Sequence, residues 1–164
     1  MFIAGFVFAV LCFVTVNAIS EKFSGPEYCG SCHEMQRAYK SWKASSHAKN
    51  TNGIRVECVD CHLPPEDQYF RNLFAKAHAG ARDYYQHYFG PEYDHEKHQK
   101  EILQHMPDER CTYCHDSLLA KPSSPAVKLA QKQSLKKKTP EKKRCLECHT
   151  QLHNYDALEE EEKN

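Results

Sequence analysis

Residues 1 to 19, MFIAGFVFAVLCFVTVNAI, contain no charged side chain. As a helix such a run extends for about 30 Å, enough to cross the hydrocarbon core of a bilayer. A cleaved leader shares the pattern, and Val16-Asn17-Ala18 is a passable small-residue cleavage site. No Lys or Arg precedes the run, so the basic start of a leader is missing and an uncleaved anchor over 1–20 is expected. After residue 20 the pattern changes. Only one long stretch repeats apolar residues at three- and four-residue steps: Phe70, Leu73, Phe74, Ala77, Ala81, Tyr84, Tyr85 and Tyr88. It predicts a helix between Pro64-Pro65 and Gly90-Pro91, with a stripe that needs a membrane or a large apolar partner. Gly80 inside it costs about 1 kcal/mol against Ala, which hints at a close approach. No other apolar run is long enough for a conventional core. The fold expected is mainly α, with little regular sheet.

The cysteines change the picture. There are nine in 164 residues, a density that suggests a disulfide scaffold in a secreted protein. Eight of them fall instead into four copies of one unit: Cys29-x-x-Cys32-His33, Cys58-x-x-Cys61-His62, Cys111-x-x-Cys114-His115 and Cys145-x-x-Cys148-His149. This unit attaches a c-type haem. Two thiols add across two vinyl groups of one porphyrin, and the adjacent imidazole reaches the iron from the same face. Zinc knuckles also use paired Cys-x-x-Cys, but they need no His after each pair. With 11 histidines in the chain, four such placements by chance have odds on the order of one in fifty thousand. Four porphyrins would also supply the missing core of a domain over 21–155. Cys12, alone in the apolar run, reads as an apolar side chain buried there.

Haem attachment of this kind takes place outside the cytoplasm, so the haem domain is expected on the periplasmic side of a single-pass anchor. The chain has 22 basic and 22 acidic residues, and no nucleic-acid partner is expected. The basic run at 136–144 and the acidic tail at 156–164 read first as solvated segments. The basic run, beside the last motif, would also suit an acidic partner or haem propionates.

Four motif histidines fill at most four of eight axial positions. Seven histidines remain: His47, His78, His87, His95, His98, His105 and His153. His47, before the second motif, and His153, after the fourth, stand apart from the polar crowd and rank first as further ligands. His87, His95, His98 and His105 follow.

The first motif continues as His33-Glu34-Met35. Ser46-His47-Ala48 precedes the second motif, and the segment 75–83 reads AKAHAGARD. With the apolar start and His153, these features resemble the NapC/NirT/NrfH family of membrane-anchored tetrahaem c-type cytochromes, in particular its NrfH branch. The resemblance covers nearly the whole chain. It implies electron relay between membrane quinol and a periplasmic multihaem oxidoreductase, either a nitrite reductase or an octahaem hydroxylamine-oxidoreductase-like protein. It also implies that Met35, not His33, is the axial ligand of haem 1, and that His47 and His153 are distal ligands. Menaquinol is the substrate expected, with Lys76 lining its pocket and Asp83 over the open side of haem 1. Lys76 and Asp83 are seven apart, on one helical stripe and about 10 Å apart. Quinol oxidation releases two protons, which an ionisable pair can accept. Two other readings compete: a soluble tetrahaem carrier without quinone chemistry, and a scaffold that tethers a reductase to the membrane.

Overall fold

The computed structural model describes residues 2–50, 52–135 and 144–153, together with 155 and 158. The basic run, apart from Arg144, and the acidic tail at 156–164, apart from Leu158, lie outside the described residues. Among the described residues all regular structure is helical. The chain divides into two compact units, Met1–Tyr93 with Asn154–Asn164, and Asp94–His153.

The first unit begins with α1 (Phe2–Lys22), 21 residues with a mean hydropathy of 2.5 over its most apolar window and no residue buried against the protein. It is long and apolar enough to cross a membrane. Cys12 is exposed on its surface, so nothing in the polypeptide covers it. The polar side chains of α1 return their hydrogen bonds to the preceding turn: Thr15 Oγ1 donates to the Leu11 carbonyl and Asn17 Nδ2 to the Phe13 carbonyl. That habit lets polar residues sit in an apolar solvent, where an unmade hydrogen bond is costly.

Next come α2 (Pro26–Cys29), a 3-10 turn over His33–Met35, α3 (Gln36–Lys43) and α4 (Cys58–His62). Trp42 is the main apolar anchor here, only 6% exposed. Its indole N–H donates to the Val56 carbonyl at 2.9 Å, and the Arg55 guanidinium lies 5.0 Å from its ring centre. These contacts pin the loop between α3 and α4. Arg55 also pairs with Glu27 of α2 at 2.8 Å and holds that carboxyl below its usual range.

Helix α5 (Tyr69–Phe89) matches the sequence expectation closely. The buried Asn72 fastens its start by donating to the Pro64 carbonyl. Gly90 ends it, because a Cβ there would lie 2.5 Å from the Gln86 carbonyl oxygen. A Cβ at Gly80 meets nothing within 4 Å, so no part of the chain demands glycine there. The aromatic stripe is bare of protein: Phe70, Phe74, Tyr84, Tyr85 and Tyr88 are all exposed. One contact joins α5 to the apolar helix. Tyr69 O–H donates to Asn17 Oδ1 at 3.2 Å, and its ring lies 6.1 Å from that of Phe13.

The second unit holds α6 (His95–His105), α7 (Glu109–Thr112), α8 (Pro125–Ser134) and α9 (Cys145–Cys148). Asp94 caps α6 by accepting from Lys97 N–H at 3.0 Å, and Ser124 caps α8 by accepting from Val127 N–H. Arg144 donates to the Leu103 and Gln104 carbonyls at the end of α6, which anchors α9 against it. Such charge-assisted bonds to orphan helix-end carbonyls are well suited to a helix C-terminus.

Across both units the large hydrophobic side chains buried among the described residues are Trp42 and Leu146, beside the prolines Pro26 and Pro64. Polypeptide packing of that extent does not hold a domain of this size, so something other than side chains must fill its interior.

Candidate functional site

All nine cysteines are free thiols, with no disulfide among them. The motif imidazoles of His33, His62, His115 and His149 are exposed, as are Cys32, Cys114 and Cys148. Each motif therefore leaves its histidine uncovered by the polypeptide, while the first cysteine of each motif is half-buried. Beside the third motif is a cavity of about 510 Å³, lined by Cys114, His115, Leu118, Lys121, Val127 and Gln131 among others. Free paired thiols, outward imidazoles and a missing apolar interior fit four covalently attached porphyrins.

Three motifs share one backbone form. Cys58–His62 is a single short helix, fixed at its start by Glu57 N–H donating to Asp60 Oδ2 at 2.7 Å. His115 N–H donates to the Cys111 carbonyl at 3.0 Å, and His149 N–H to the Cys145 carbonyl at 2.9 Å. In each, one α-helical turn stacks the histidine over the first cysteine, so imidazole and thiols share a face.

The first motif differs. Its chain leaves α2 through a turn at Gly30 and Ser31, and among the described residues His33 N–H makes no such bond to Cys29. Instead Met35 N–H donates to the Cys32 carbonyl at 3.0 Å, closing a 3-10 turn. Side chains three apart eclipse in that geometry, and each residue turns about 120° from the last. His33 and Met35, two residues apart within the turn, therefore point about 120° from each other, while Cys32 before them is extended. Gly30 is required by packing, since a Cβ there would lie 2.6 Å from the Tyr39 ring.

The motifs also come in pairs, which the sequence reading missed. Packing of α2 on α4 brings the Cys29 and Cys58 thiols beside one another. In the other unit Cys111 and Cys145 are neighbours in the same way. The Cys29 thiol, with burial, pushes the Cys58 thiol up. Burial, with the Asp108 carboxylate nearby, pushes Cys145 up to about 12. Asp108 also accepts from Cys145 N–H at 3.0 Å. The uneven intervals between motifs were the available signal: the two within pairs are shorter than the one between.

The remaining expected residues are placed as follows. The Cys29 thiol is held below its usual range, first by the Cys58 thiol beside it, with burial and then the Asp83 carboxylate opposing. That carboxylate is 66% exposed and 3.4 Å from the Arg82 guanidinium. Lys76 is more enclosed, its side chain 18% exposed, with Glu66 at 4.0 Å. The two are on one helix, but the partner Lys76 makes is Glu66, not the first motif. His47 sits half-buried in the loop that Trp42 pins, its carbonyl accepting from Val56 N–H at 2.9 Å. His153 is half-buried after α9. His98 and His105 hold Nδ1 against the carbonyls of Asp94 and Glu101, at 2.8 and 2.9 Å. Fixing one ring nitrogen in this way is usual for a histidine whose other nitrogen binds a metal.

Two further residues flank the first motif. Glu34 and His87 meet at 2.8 Å. Tyr93 lies among Asp83, Arg82, Glu34 and Tyr155, with its phenol pushed up by burial and then by Tyr155. Nothing local in the sequence marks these contacts, because Glu34 and His87 are 53 residues apart.

The model of the NapC/NirT cytochrome c family, N-terminal region, matches residues 1–157. The cytochrome c-type protein NrfH of Wolinella succinogenes is 34% identical over 138 residues, covering 81% of this chain and 70% of that protein. The cytochrome c-type protein TorY of Haemophilus influenzae is 32% identical over 146 residues, covering 80% of this chain. The chain spans only 37% of TorY's length. Among solved structures, a chain of the cytochrome c nitrite reductase NrfHA complex bound to the HQNO inhibitor aligns with a TM-score of 0.59 and 23% identity. That alignment covers 93% of this chain and 88% of the other.

Proposed function

Because the chain belongs to the NapC/NirT cytochrome c family, we propose that it is a membrane-anchored quinol dehydrogenase subunit, oxidising menaquinol beside the first motif and relaying electrons to a periplasmic multihaem partner. The c-type haems, each held by one Cys pair, supply one-electron acceptors. Quinol gives up two electrons and two protons, so the site needs two acceptor haems and two proton acceptors.

The observation that carries this reading is the backbone of the first motif. Its 3-10 turn points Met35 about 120° from His33, which supports Met35, in place of His33, as the residue that would bind the iron of haem 1. The second, open side of that haem is then where quinol arrives. Asp83, whose charge is felt at Cys29, would be a proton acceptor, and Lys76, two turns earlier on α5, would line the approach. His62, His115 and His149 serve the other three haems, with His47 and His153 as distal ligands. The link from Tyr69 to Asn17 and Phe13 supports retention of α1, because cleavage after Ala18 would remove both partners. It also sets the start of α5 beside the apolar helix, where a lipid-soluble substrate is available.

The partner favoured is a multihaem nitrite reductase, on the strength of the NrfHA neighbour, with an octahaem hydroxylamine-oxidoreductase-like protein as the alternative. The test is to add a menaquinol analogue to the oxidised, anchored protein in detergent and follow haem absorbance. Haem reduction that HQNO blocks is expected. No reduction, where dithionite reduces all four haems, returns the chain to a simple tetrahaem carrier.

A further inference from the structure

Helix α5 has two faces of different character. Asn72, Ala75, Lys76 and Ala79, at three- and four-residue steps, are buried or half-buried against the protein, and Asp83 and His87 continue the same line. This face meets both haem motifs of its unit. Asn72 donates to the Pro64 carbonyl just after the second motif, and His87 lies 2.8 Å from Glu34 beside the first. About half a turn round the helix stand Phe70, Phe74, Tyr84, Tyr85 and Tyr88, between 59% and 73% exposed. Ala77 and Ala81 carry the stripe between them. It runs nearly the whole length of a 21-residue helix, about 30 Å. The motifs, and with them the sulfurs that carry the porphyrins, are on the other side of the helix.

We propose that α5 lies in the membrane interface with its aromatic stripe against the lipid, a second membrane contact beside α1. The start of the helix supplies the depth. Tyr69 O–H donates to Asn17 Oδ1, and its ring lies 6.1 Å from that of Phe13. Asn17 and Phe13 come two and six residues before Ile19, where the uncharged run ends. They are therefore about 3 and about 9 Å inside that end. A helix lying along the boundary of headgroups and acyl chains sits about 5–10 Å deep, so the contact brings α5 in at the level such a helix occupies. Tyrosine suits that level, with its ring among the acyl chains and its hydroxyl in water. Arg71, His78 and Arg82 are exposed along one edge of the stripe, where anionic headgroups would complement the two guanidinium charges. The inference rests on α1 as a membrane anchor and goes beyond it. A single spanning helix would leave the haem unit free to swivel. A second contact in the plane of the membrane fixes which side of the unit faces the lipid, where a lipid-soluble substrate is dissolved.

The test is photolabelling from the lipid. The full-length haem-loaded protein is placed in nanodiscs of phosphatidylcholine and phosphatidylglycerol, doped with a phospholipid that carries a diazirine near the headgroup end of one acyl chain. After illumination the labelled residues are mapped by peptide mass spectrometry. Label is expected on α1 and also on the stripe of α5, severalfold above the level on α6 and α8, which serve as the water-exposed reference. Label on α1 with none on α5 above that reference overturns the proposal and leaves the anchor standing; the stripe is then free for a protein partner. Absence of label from both helices overturns the anchor and the proposal together. Phe74→Glu combined with Tyr85→Glu puts two charges into the stripe. This pair should cut the labelling of α5 severalfold, with the spectra of all four haems unchanged. Undiminished labelling shows that the stripe is not the lipid-facing side, and a disturbed haem spectrum assigns the stripe to a porphyrin; either result overturns the proposal. Where the charged pair does not accumulate, Phe74→Ser with Tyr85→Ser takes its place with the same expected and overturning results.

Discussion

Replacing Trp42 tests how the haem-bearing loops are held. The indole is 6% exposed and, with Leu146, is one of two large hydrophobic side chains buried among the described residues. Truncation to Ala removes that packing and leaves a cavity, at a cost of about 3–5 kcal/mol. Phe keeps most of the ring but removes the N–H that meets the Val56 carbonyl at 2.9 Å. That bond is only part-buried, so water can reach the orphaned carbonyl and the loss falls near about 1 kcal/mol. With a urea m-value of about 2 kcal/mol/M, the unfolding midpoint should fall by about 2 M for Trp42→Ala and about 0.5 M for Trp42→Phe. The assay is urea unfolding of the anchored protein in detergent, followed by the haem spectrum. The same loop carries His47, whose carbonyl accepts from Val56 N–H. Trp42→Ala should therefore also weaken the low-spin signal of one haem. Identical midpoints for wild type and Trp42→Phe would refute the pin through Val56. A shift below about 0.5 M for Trp42→Ala would refute the claim that the polypeptide core matters beside the haems.

Met35→Ala should lower the potential of a single haem, measured by redox titration, and an unchanged titration would return that iron to His33. Lys76→Leu should slow haem reduction by a menaquinol analogue severalfold with all four haems attached, and loss of a haem would make Lys76 structural. Asp94 gives a pH dependence. Its carboxyl is held low, first by the Lys97 N–H it accepts. The stability it adds is therefore present above the ordinary aspartate value and is lost as pH falls through the lowered one. Asp94→Asn keeps an N-cap without the charge, so the low-pH loss of α6 helicity seen by circular dichroism should flatten. An unchanged acid profile would show that the cap acts only as a hydrogen bond.

The parts of this molecule visible in the sequence are those with a local period. The bounds of α5 follow from Pro64-Pro65 and Gly90-Pro91 around a three- and four-residue repeat. The apolar run of α1 and the four Cys-x-x-Cys-His units are equally local. The different backbone of the first motif is half-visible: Met35 is conspicuous, but the 3-10 turn over His33–Met35 is not. Contacts that bridge long intervals leave no such trace. Glu34 and His87, or Arg144 and the end of α6, are polar residues of ordinary type, and spacing does not say which of many partners each takes. Lys76 shows the opposite limit. Helical spacing rightly put it on a line with Asp83, but a shared stripe does not fix the partner, and here the partner is Glu66. The aromatic stripe of α5 was read as needing a large apolar neighbour, and it is indeed left bare by the polypeptide.

The pairing of thiols between motifs has a consequence for how the protein matures. Cys29 lies beside Cys58, and Cys111 beside Cys145. Before a porphyrin arrives, each pair is one oxidation away from a cross-link that would block two attachment sites at once. Exchange and oxidation proceed through the thiolate. Burial and neighbouring groups push the Cys58 and Cys145 thiols up, whereas Cys29 is lowered. In the first pair Cys29 is therefore the more reactive thiol, and its attachment to a vinyl group removes the partner that a cross-link to Cys58 would need.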